Sequence, residues 1–425
     1  MDRIKEILKK CGVSVYRLTD TLTEAAELYY IKKKLDIPRF KKIGTIKAEI
    51  FRDFEEEGKK YRGSALIYLE QGLTDEEMEQ KIKNAYFAAS FVKNPFYELP
   101  APCVSDLVPS TSDYRDMPLE EAAGKVADLF LSVESDEKAF INSAEIFVRR
   151  SAVRILDSAG TDVSYMRDVL RGEFVAQCRE PEDVEQYRQF SYTDLDLKSL
   201  GEKLQDAVRD VRLRAAAVKA PKAGTCSVIL TGENLRELLK FYMERSESAM
   251  VYPGYSTWKK GDNVQGETEG GEKLNLTLSS ALPFSSEGIP MKDRPLLQDG
   301  VLAAIHGGSR FAFYLGIEPT GSYEKVLLDA GTMPLEEMKK SGALETVSFS
   351  DFQTDVMDGH FAGEIRLALA RGKDGKIIPL TGGSVNGSLL ASQGKLIFSR
   401  ERYKDAFYEG PLAVLIPDVR VAGVS

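Results

Sequence analysis

The stretch CSVILTGENLRELLKFYMERSESAM, residues 226–250, predicts a buried strand that runs directly into an amphipathic helix. Its first five residues are mostly apolar, which is typical of a short strand inside a core. In the rest, apolar side chains recur at the spacing of one helix face; these residues are Leu235, Leu238, Leu239, Tyr242 and Met243. Thr231 is the expected N-cap, and Glu233 suits the positive end of the helix dipole. Because chemistry is common where a strand leads into a helix, this helix is either a catalytic element or a packing element.

The composition is that of an ordinary soluble protein. The chain has 425 residues, of which 43% are hydrophobic and 29% are charged, so two or three domains can each bury a core. The formal net charge is −9. A protein that binds nucleic acid without sequence specificity needs a basic face, so we expect no nucleic-acid partner.

The sequence favours a cytoplasmic protein without a membrane partner. No apolar run approaches the roughly 20 residues that span a bilayer, and the N-terminus MDRIKEILKKCG lacks the apolar core of a signal peptide. The cysteines are widely spaced, which argues against a disulfide framework. The chain has only two histidines, His306 and His360, so it has few ways to build a zinc site or an acid–base site that relies on imidazole.

The predicted fold class is α+β, with N-terminal α/β-type regions of hairpins and amphipathic helices and a C-terminal, mostly antiparallel β domain. Three regions are expected: an N-terminal α+β domain over residues 1–100, a middle α+β region over 116–218 and a C-terminal β-rich domain over 223–425. The Pro- and Ser-rich stretch 98–118 is interpreted as a linker, and 218–225 as a break.

Within these regions, several local elements are predicted. Residues 41–72 indicate a β-hairpin, with a turn in EEEGKKYRG. The helix that follows begins with Thr74 and Glu77, which form a capping box. The polar, Gly-rich stretch 258–273 is interpreted as a mobile loop.

Three stretches that could carry chemistry have ordinary explanations. TGGSVNGS (381–388) and HGGSR (306–310) match no phosphate-binding loop, so turn glycines explain both. Asp358, His360 and Glu364 would share one face of a strand, and a metal site there is conceivable. A surface histidine near a turn is the commoner case.

The run Arg294–Tyr323, RPLLQDGVLAAIHGGSRFAFYLGIEPTGSY, resembles the R-P-L-I-x-D-G-V-L … P-T-G-N segment of the TldD/PmbA proteins. The C-terminal run from VSFSDFQ (347–353) to GPLAVLIPDVRVAG (410–423) resembles the ending of that family, with strands and turns in the same order. The resemblance implies an α+β N-terminal part, a β-rich C-terminal domain and a link to proteolytic processing of peptides in the cytoplasm.

The family has two kinds of member, and the zinc ligands decide between them. One kind carries H-E-x-x-x-H on the helix after the first strand of the third region and a cysteine near the C-terminus. The other, PmbA- or TldE-like, lacks these residues and pairs with the first. Here the helix within 231–250 contains no histidine, and KDAFYEGPLAV (404–414) contains no cysteine. The resemblance therefore implies no catalytic residue, no metal and no cofactor in this chain.

Two functions follow as hypotheses. The first is a non-catalytic, PmbA/TldE-like subunit that pairs with a TldD-like zinc peptidase, or with a second copy of itself, and encloses a peptide substrate held along a strand edge. The second is an active peptidase of the same family with a divergent site that uses His306 or His360. A homodimeric binding protein unrelated to proteolysis is a third possibility.

Six residues are predicted to contribute to substrate or partner binding, because they lie in the stretches that match the family best. They are Arg294, Pro319, Thr320, Gly321, Asn386 and Gly387. A structural explanation exists for the turn residues among them: Gly321 follows Pro-Thr in a turn that needs an unusual φ, and Asn-Gly at 386–387 is typical of a hairpin turn.

Overall fold

The computed structural model describes residues 1–220, 223–372 and 374–423. Residues 221–222, inside the predicted break at 218–225, lie outside the described residues, as do 373 and 424–425, which belong to the predicted C-terminal domain. The predicted α+β fold class is confirmed, with helices and long strands in the first half and a β-rich second half.

The first half consists of long strands and four helices in the described part of the chain. In chain order they are α1 (Asp2–Lys10), β1 (Val15–Ile31), β2 (Lys34–Glu56), β3 (Lys59–Leu69), α2 (Asp75–Ala89), β4 (Val104–Val108), α3 (Leu119–Ser132), β5 (Ala139–Asp157), β6 (Asp162–Cys178), β7 (Val184–Tyr192) and α4 (Leu197–Ala215).

All these strands belong to one sheet. Its order is β3-β2-β1-β5-β6-β4, with β7 also paired to β6. The central pair is β1 with β5, whose antiparallel register runs from Arg17 opposite Asp157 to Ile31 opposite Ser143. The stretches 1–100 and 116–218 therefore share one sheet, because this pairing joins strands that lie more than a hundred residues apart in the sequence.

The helices cover one face of this sheet as two separate groups. The first group, α1 and α2, packs on a core that includes Leu18 and Ile50. The second group, α3 and α4, packs on a core that includes Ile146, Leu170 and Phe174. Burial of these apolar faces stabilises the sheet by roughly 25 cal/mol per Å² of apolar surface.

The local predictions for the first half are confirmed, apart from the linker. Strands β2 and β3 form the expected hairpin. The Oγ1 of Thr74 accepts the N–H of Glu77 at 3.2 Å, and the Glu77 carboxylate accepts the N–H of Thr74 at 2.8 Å, which is the predicted capping box. The predicted linker at 98–118 contains β4, which pairs in parallel with β6. Its alternation was too short to identify as a strand from the sequence.

The second half contains short strands and short helices. The strands are β8 (Val218–Lys219), β9 (Gly224–Thr231), β10 (Leu276–Ser279), β11 (Arg294–Gln298), β12 (Val301–Leu302), β13 (Lys325–Leu328), β14 (Leu344–Thr354), β15 (His360–Arg371), β16 (Ile377–Thr381), β17 (Ser384–Ser388), β18 (Ile397–Phe398), β19 (Arg402–Lys404), β20 (Tyr408–Pro411) and β21 (Ala413–Ala422). The helices are α5 (Glu233–Arg245), α6 (Ser248–Val251), α7 (Ser309–Leu315), α8 (Leu335–Lys340) and α9 (Leu389–Ser392), and a 3-10 turn follows at Gln393–Lys395.

The strands of the second half form two mostly antiparallel sheets. One has the order β12-β11-β10-β13-β20-β19. The other has the order β14-β9-β21-β17-β15-β16-β8, and its path closes because β14 also pairs with β15. Side chains from both sheets meet in one large hydrophobic core.

Helix α5 runs through that core, as its apolar stripe predicts. Leu235, Leu238, Leu239 and Tyr242 are fully buried, and Met243 packs against them. The stripe of the 226–250 stretch is therefore a packing surface. Chemistry on this helix would have to come from its other faces.

The predicted helix boundaries were wrong at both ends. The N-cap is Gly232, with φ of +54°, and it makes no side-chain cap. Thr231 is the last residue of β9, where it pairs with Ala413. Its backbone therefore belongs to the strand and not to the helix. The helix ends at Arg245, and the Ser246 hydroxyl donates to the last-turn carbonyls of residues 242 and 243.

The stretch 258–273 contains no helix or strand in the structure, as predicted for a loop. However, it is anchored in the core by Gln265, which is 1% exposed. The Gln265 amide donates to the carbonyls of Glu272 and Gln393 and accepts the N–H of Leu274. Trp258 also stacks on Tyr242 of α5 at 6.2 Å between ring centres.

Candidate functional site

The N-terminal half of α5 lies against the segment that joins β19 to β20. The Arg236 guanidinium lies 4.0 Å from Oδ2 of Asp405, and its Cζ lies 5.1 Å from the ring centre of Phe407. The main-chain N–H of Gly232 donates to the carbonyl of Leu412 at 2.9 Å. The structure thus brings together the two stretches to which the family resemblance assigns zinc ligands.

Asp405 is held tightly at this junction. It is 7% exposed and accepts the N–H groups of Phe407 and Tyr408 at 2.7 and 2.8 Å. Its second oxygen accepts the Tyr403 hydroxyl at 3.1 Å, and burial raises the pKa of Tyr403, so that hydroxyl stays protonated. A cavity of about 460 Å³ opens beside Asp405, lined by residues 113, 192–198 and 404–405.

The groups at this junction do not fit a zinc ion. Zinc takes about four N, S or O donors, whereas here a guanidinium, which carries no lone pair to donate, faces the carboxylate. The nearest carboxylates of α5 are engaged, Glu233 with Lys203 at 2.6 Å and Glu237 with Lys240 at 2.7 Å. Among the described residues there is no group of three or more His, Cys, Asp or Glu side chains arranged to hold a metal.

His306 is enclosed by the protein and out of reach of a substrate. Its side chain is 1% exposed, and its Nε2 lies 2.9 Å from the carbonyl of Met243. Burial lowers the pKa of His306 to about 4, and the charge of Arg294 acts in the same direction. The imidazole is therefore neutral at pH 7 and donates its Nε2–H to the carbonyl.

Four of the six predicted binding residues gather around the loop after His306. The Thr320 hydroxyl accepts the N–H of Gly307 and donates to the carbonyl of Gly321, both at 3.0 Å. The N–H groups of Thr320 and Gly321 donate back to the Gly307 carbonyl. Gly321 has φ of +74°, the unusual backbone conformation predicted for it. Thr320 is 4% exposed, so these contacts are internal to the fold. Arg294 and Pro319 are half-buried.

The other two predicted residues line a polar cavity that solvent reaches. Its volume is about 470 Å³, and it is lined by His360, Asn386, Gly387, Ser388, Ala391, Ser392, Lys395, Pro417 and Asp418. The Lys395 ammonium lies 3.6 Å from Asp418 and 3.5 Å from Glu269. An imidazole, an ammonium group and a carboxylate thus line one cavity.

The cavity exists because two strands part. Strand β17 pairs with β21 only as far as Asn386 opposite Arg420. Beyond that point β21 bulges between Ile416 and Val419, and Asp418 within the bulge has φ of +59°. A non-glycine residue in this left-handed conformation costs roughly 1 kcal/mol or more, and such residues are often found at functional sites.

The prediction of a hairpin turn at Asn386–Gly387 was wrong. Both residues lie inside β17, opposite Ala362 and Phe361 of β15. A side chain at 387 would lie 2.3 Å from the Phe361 ring, so close packing explains the glycine. The sequence analysis missed Lys395 and Asp418. Their one signal was Pro417 inside the strand-like run 413–422, because proline in a strand indicates a bulge or an edge.

The C-terminal domain matches a known family. Residues 223–425 match the family described as the PmbA/TldA metallopeptidase C-terminal domain. This match confirms the family resemblance recognised in the sequence. A search among curated protein sequences found no match.

Solved structures of similar fold cover nearly the whole chain. A protein from Thermotoga maritima, described as a candidate modulator of DNA gyrase, superposes with a TM-score of 0.76 at 16% identity, over 99% of both chains. TldE from Thermococcus kodakarensis gives a TM-score of 0.77 at 15% identity, over 99% of this chain and 100% of that one. A candidate modulator of DNA gyrase from Bacteroides thetaiotaomicron gives 0.73 at 15% identity, over all of both chains. At these identities the likeness establishes the fold alone.

Proposed function

The chain belongs to the TldD/PmbA family through its C-terminal domain, and on that premise we propose that it is the non-catalytic, PmbA/TldE-like subunit of a zinc metallopeptidase. In this role it pairs with a TldD-like chain that carries the zinc. Its own contribution is to help bind and enclose peptides in the cytoplasm. The likeness in fold to TldE supports this assignment.

The observation that carries the proposal is the contact of Arg236 with Asp405. The helix and the C-terminal segment that supply the zinc ligands in catalytic relatives are present and in contact here, but the groups that meet are a guanidinium and a carboxylate. A positive side chain at this position repels a divalent cation. The repulsion energy is larger where water is excluded, because the local dielectric constant is lower. The helix and the C-terminal segment are thus retained, whereas the side chains that would bind zinc are replaced.

Peptide binding finds support at the cavity around His360. Strand β17 pairs with β21 only as far as Asn386, and Gly387 lines the cavity just beyond that point. An extended peptide can add to such a gap through main-chain hydrogen bonds, with little demand on its sequence. Asn386 and Gly387 are the predicted residues best placed for this contact.

Metal content and co-purification test the proposal together. The isolated chain, dialysed against zinc, should retain far less than one zinc per chain. Co-expressed with a TldD-like chain that carries H-E-x-x-x-H, it should elute as a heterodimer, and peptidase activity should require that chain's zinc ligands. One tightly held zinc per isolated chain, together with peptidase activity, would overturn the assignment.

An active peptidase with a divergent site is the second candidate, and the polar cavity favours it. His360 shares that cavity with Lys395 and Asp418, whereas His306 is enclosed. If the isolated chain cleaves peptides, His360→Ala should abolish cleavage. Gln353→Ala, at an exposed position on the neighbouring strand β14 and outside the cavity, is the matched control. Equal activity of both variants would exclude this candidate.

A further inference from the structure

A further cavity lies at the end of the N-terminal sheet that holds the β1–β2 turn, where three connections converge. Its volume is about 500 Å³, which is within the range of small-molecule sites. The β1–β2 turn contributes Lys32 and Lys33, the loop after α3 contributes Val133 and residues 135–137, and Arg179 follows β6. No residue of the C-terminal domain lines this cavity, so it is separate from the cavity around His360.

The floor of this cavity is apolar and belongs to the core beneath α3. Phe130, Val133, Ile141 and Ala144 line it, and each is less than 10% exposed. Tyr30 packs against the same core and forms a wall. A ligand must therefore place an apolar group inward, because a polar group on this floor would lose its hydrogen bonds to water.

The rim carries cations that no carboxylate of the described residues neutralises. Lys32, Lys33 and Arg179 form no ion pair within the described part of the chain. Two of them lie over Phe140, with Lys32 Nζ at 5.8 Å and Arg179 Cζ at 5.1 Å from the ring centre. A neutral ring attracts these cations without cancelling their charge.

The carboxylates at the rim do not balance this charge. Asp136 accepts the N–H groups of Lys138 and Ala139 and pairs with Arg212 at 3.0 Å. Glu137 is the other carboxylate that lines the cavity, so three unpaired cations face one unpaired anion. This excess is unusual in a chain whose net charge is −9.

From this geometry we infer that the cavity binds an apolar monocarboxylate, with its carboxylate at the Lys32, Lys33 and Arg179 rim and its apolar group on the Phe130 and Ile141 floor. Two sources offer this chemistry, the C-terminal residue of a peptide and a fatty acid. Arg179 can grip either carboxylate through two parallel N–H donors, and the lysines add charge. The inference does not depend on the proposed subunit function.

Calorimetric titration of the full chain tests the inference with matched probes. N-acetyl-L-phenylalanine mimics a peptide C-terminus, and its amide differs only in lacking the charge. Decanoate mimics a fatty acid, and decylammonium carries the same tail with the opposite charge. We expect the carboxylate of at least one pair to bind about tenfold or more tightly than its matched partner, since a charge-assisted contact is worth at least that factor. The tighter of the two carboxylates identifies the source.

Two variants locate the binding at this cavity. Lys33→Gln with Arg179→Gln removes two rim charges and should weaken carboxylate binding by about tenfold or more. Ser135→Phe fills the mouth of the cavity from a half-buried position and should abolish binding without disturbing the core. The matched control, Lys9→Gln with Lys59→Gln, removes two exposed and unpaired charges elsewhere and should leave the affinity unchanged.

Three results would overturn the inference. The first is that neither carboxylate binds with a dissociation constant of about 1 mM or tighter. The neutral or cationic partner could bind as tightly as the carboxylate. Finally, the rim variant and the control variant could bind with equal affinity, which would place the binding outside this cavity.

Discussion

Two ionisable side chains, Glu27 and His306, are each only 1% exposed, yet their charge states differ because their neighbours differ. The Glu27 carboxylate lies 2.7 Å from the Lys41 ammonium and 3.0 Å from the Arg149 guanidinium. Although burial opposes it, these hydrogen bonds lower the pKa of Glu27, so it stays ionised. His306 instead donates a hydrogen bond to a main-chain carbonyl, and its imidazole stays neutral. The function of a buried group thus depends on contacts that its residue type does not reveal.

We predict that His306 makes the protein less stable in mild acid. Burial lowers its pKa in the fold to about 4, while in the unfolded chain it is near 6.5. Between these values the unfolded chain binds a proton that the fold does not, so the free energy of unfolding falls as pH decreases from about 6.5 to 4, by up to about 3 kcal/mol. Urea unfolding at a series of pH values should show a smaller fall for His306→Gln.

The other histidine supplies the control for this measurement. His360 is exposed, so His360→Gln should leave the pH dependence of the wild-type protein intact. If His306→Gln and the wild-type protein lose stability in parallel over this interval, the acid sensitivity comes from other groups. The protonation of His306 would then be the same in the folded and unfolded states.

At the scale of single elements, the connection between β2 and β3 shows a local conflict. The turn places Glu57 at φ of +52° and Gly58 at +71°. Turns of two residues with both φ positive match the twist of a hairpin and prefer Asn-Gly. Gly58 satisfies this preference, while Glu57 carries a side chain that disfavours the left-handed region.

Glu57→Asn should therefore stabilise the protein by about 0.5–1 kcal/mol, because asparagine tolerates this conformation better. Gly58→Ala should destabilise it by about 1 kcal/mol or more, since alanine cannot adopt the positive φ without strain. Both changes are measured by urea unfolding, with Glu55→Asn in the adjoining strand as the control. A loss of stability in Glu57→Asn would show that the turn geometry is set by something other than the backbone preference.

At the scale of the whole molecule, the two halves meet at several places, and one of these joints lies on the sheet face that the helices leave open. Phe284 packs near Tyr165, with ring centres 6.4 Å apart, and against Ile155. Beside it, Arg17 of β1 lies 3.6 Å from Glu287, which also accepts the N–H of Ser309 at the start of α7. This joint is one of several contacts that orient the C-terminal domain on the N-terminal sheet; the ion pair of Lys203 in α4 with Glu233 in α5 is another.

Removing the apolar anchor of this joint should be costly. We predict that Phe284→Ala lowers the free energy of unfolding by about 3 kcal/mol, because the side chain is 6% exposed and its loss leaves a cavity. Phe313→Ala, where the ring is 42% exposed, should change it by less than about 0.5 kcal/mol. Equal effects of the two substitutions in urea unfolding would mean that Phe284 does not hold the halves together.

Much of the local structure was predictable because its causes are local. The stripe of α5, the capping box at Thr74 and Glu77 and the β2–β3 hairpin each depend on residues within a few positions of one another. The boundary at Thr231 was not predictable, because the pairing of that residue with Ala413 competes with its preference as an N-cap. Strand pairing across almost two hundred residues overrode a local signal.

The sequence by itself determined the fold class, the family and the lack of histidine and cysteine in the two stretches where zinc ligands would stand, because these depend on residue types, order and periodicity. Only the tertiary structure decided that Arg236 meets Asp405, that His306 is enclosed and that His360 lines a cavity at the β21 bulge. Each of these facts comes from segments distant in the chain that pack together. Burial and contact are properties of the folded core, and a linear pattern does not contain them.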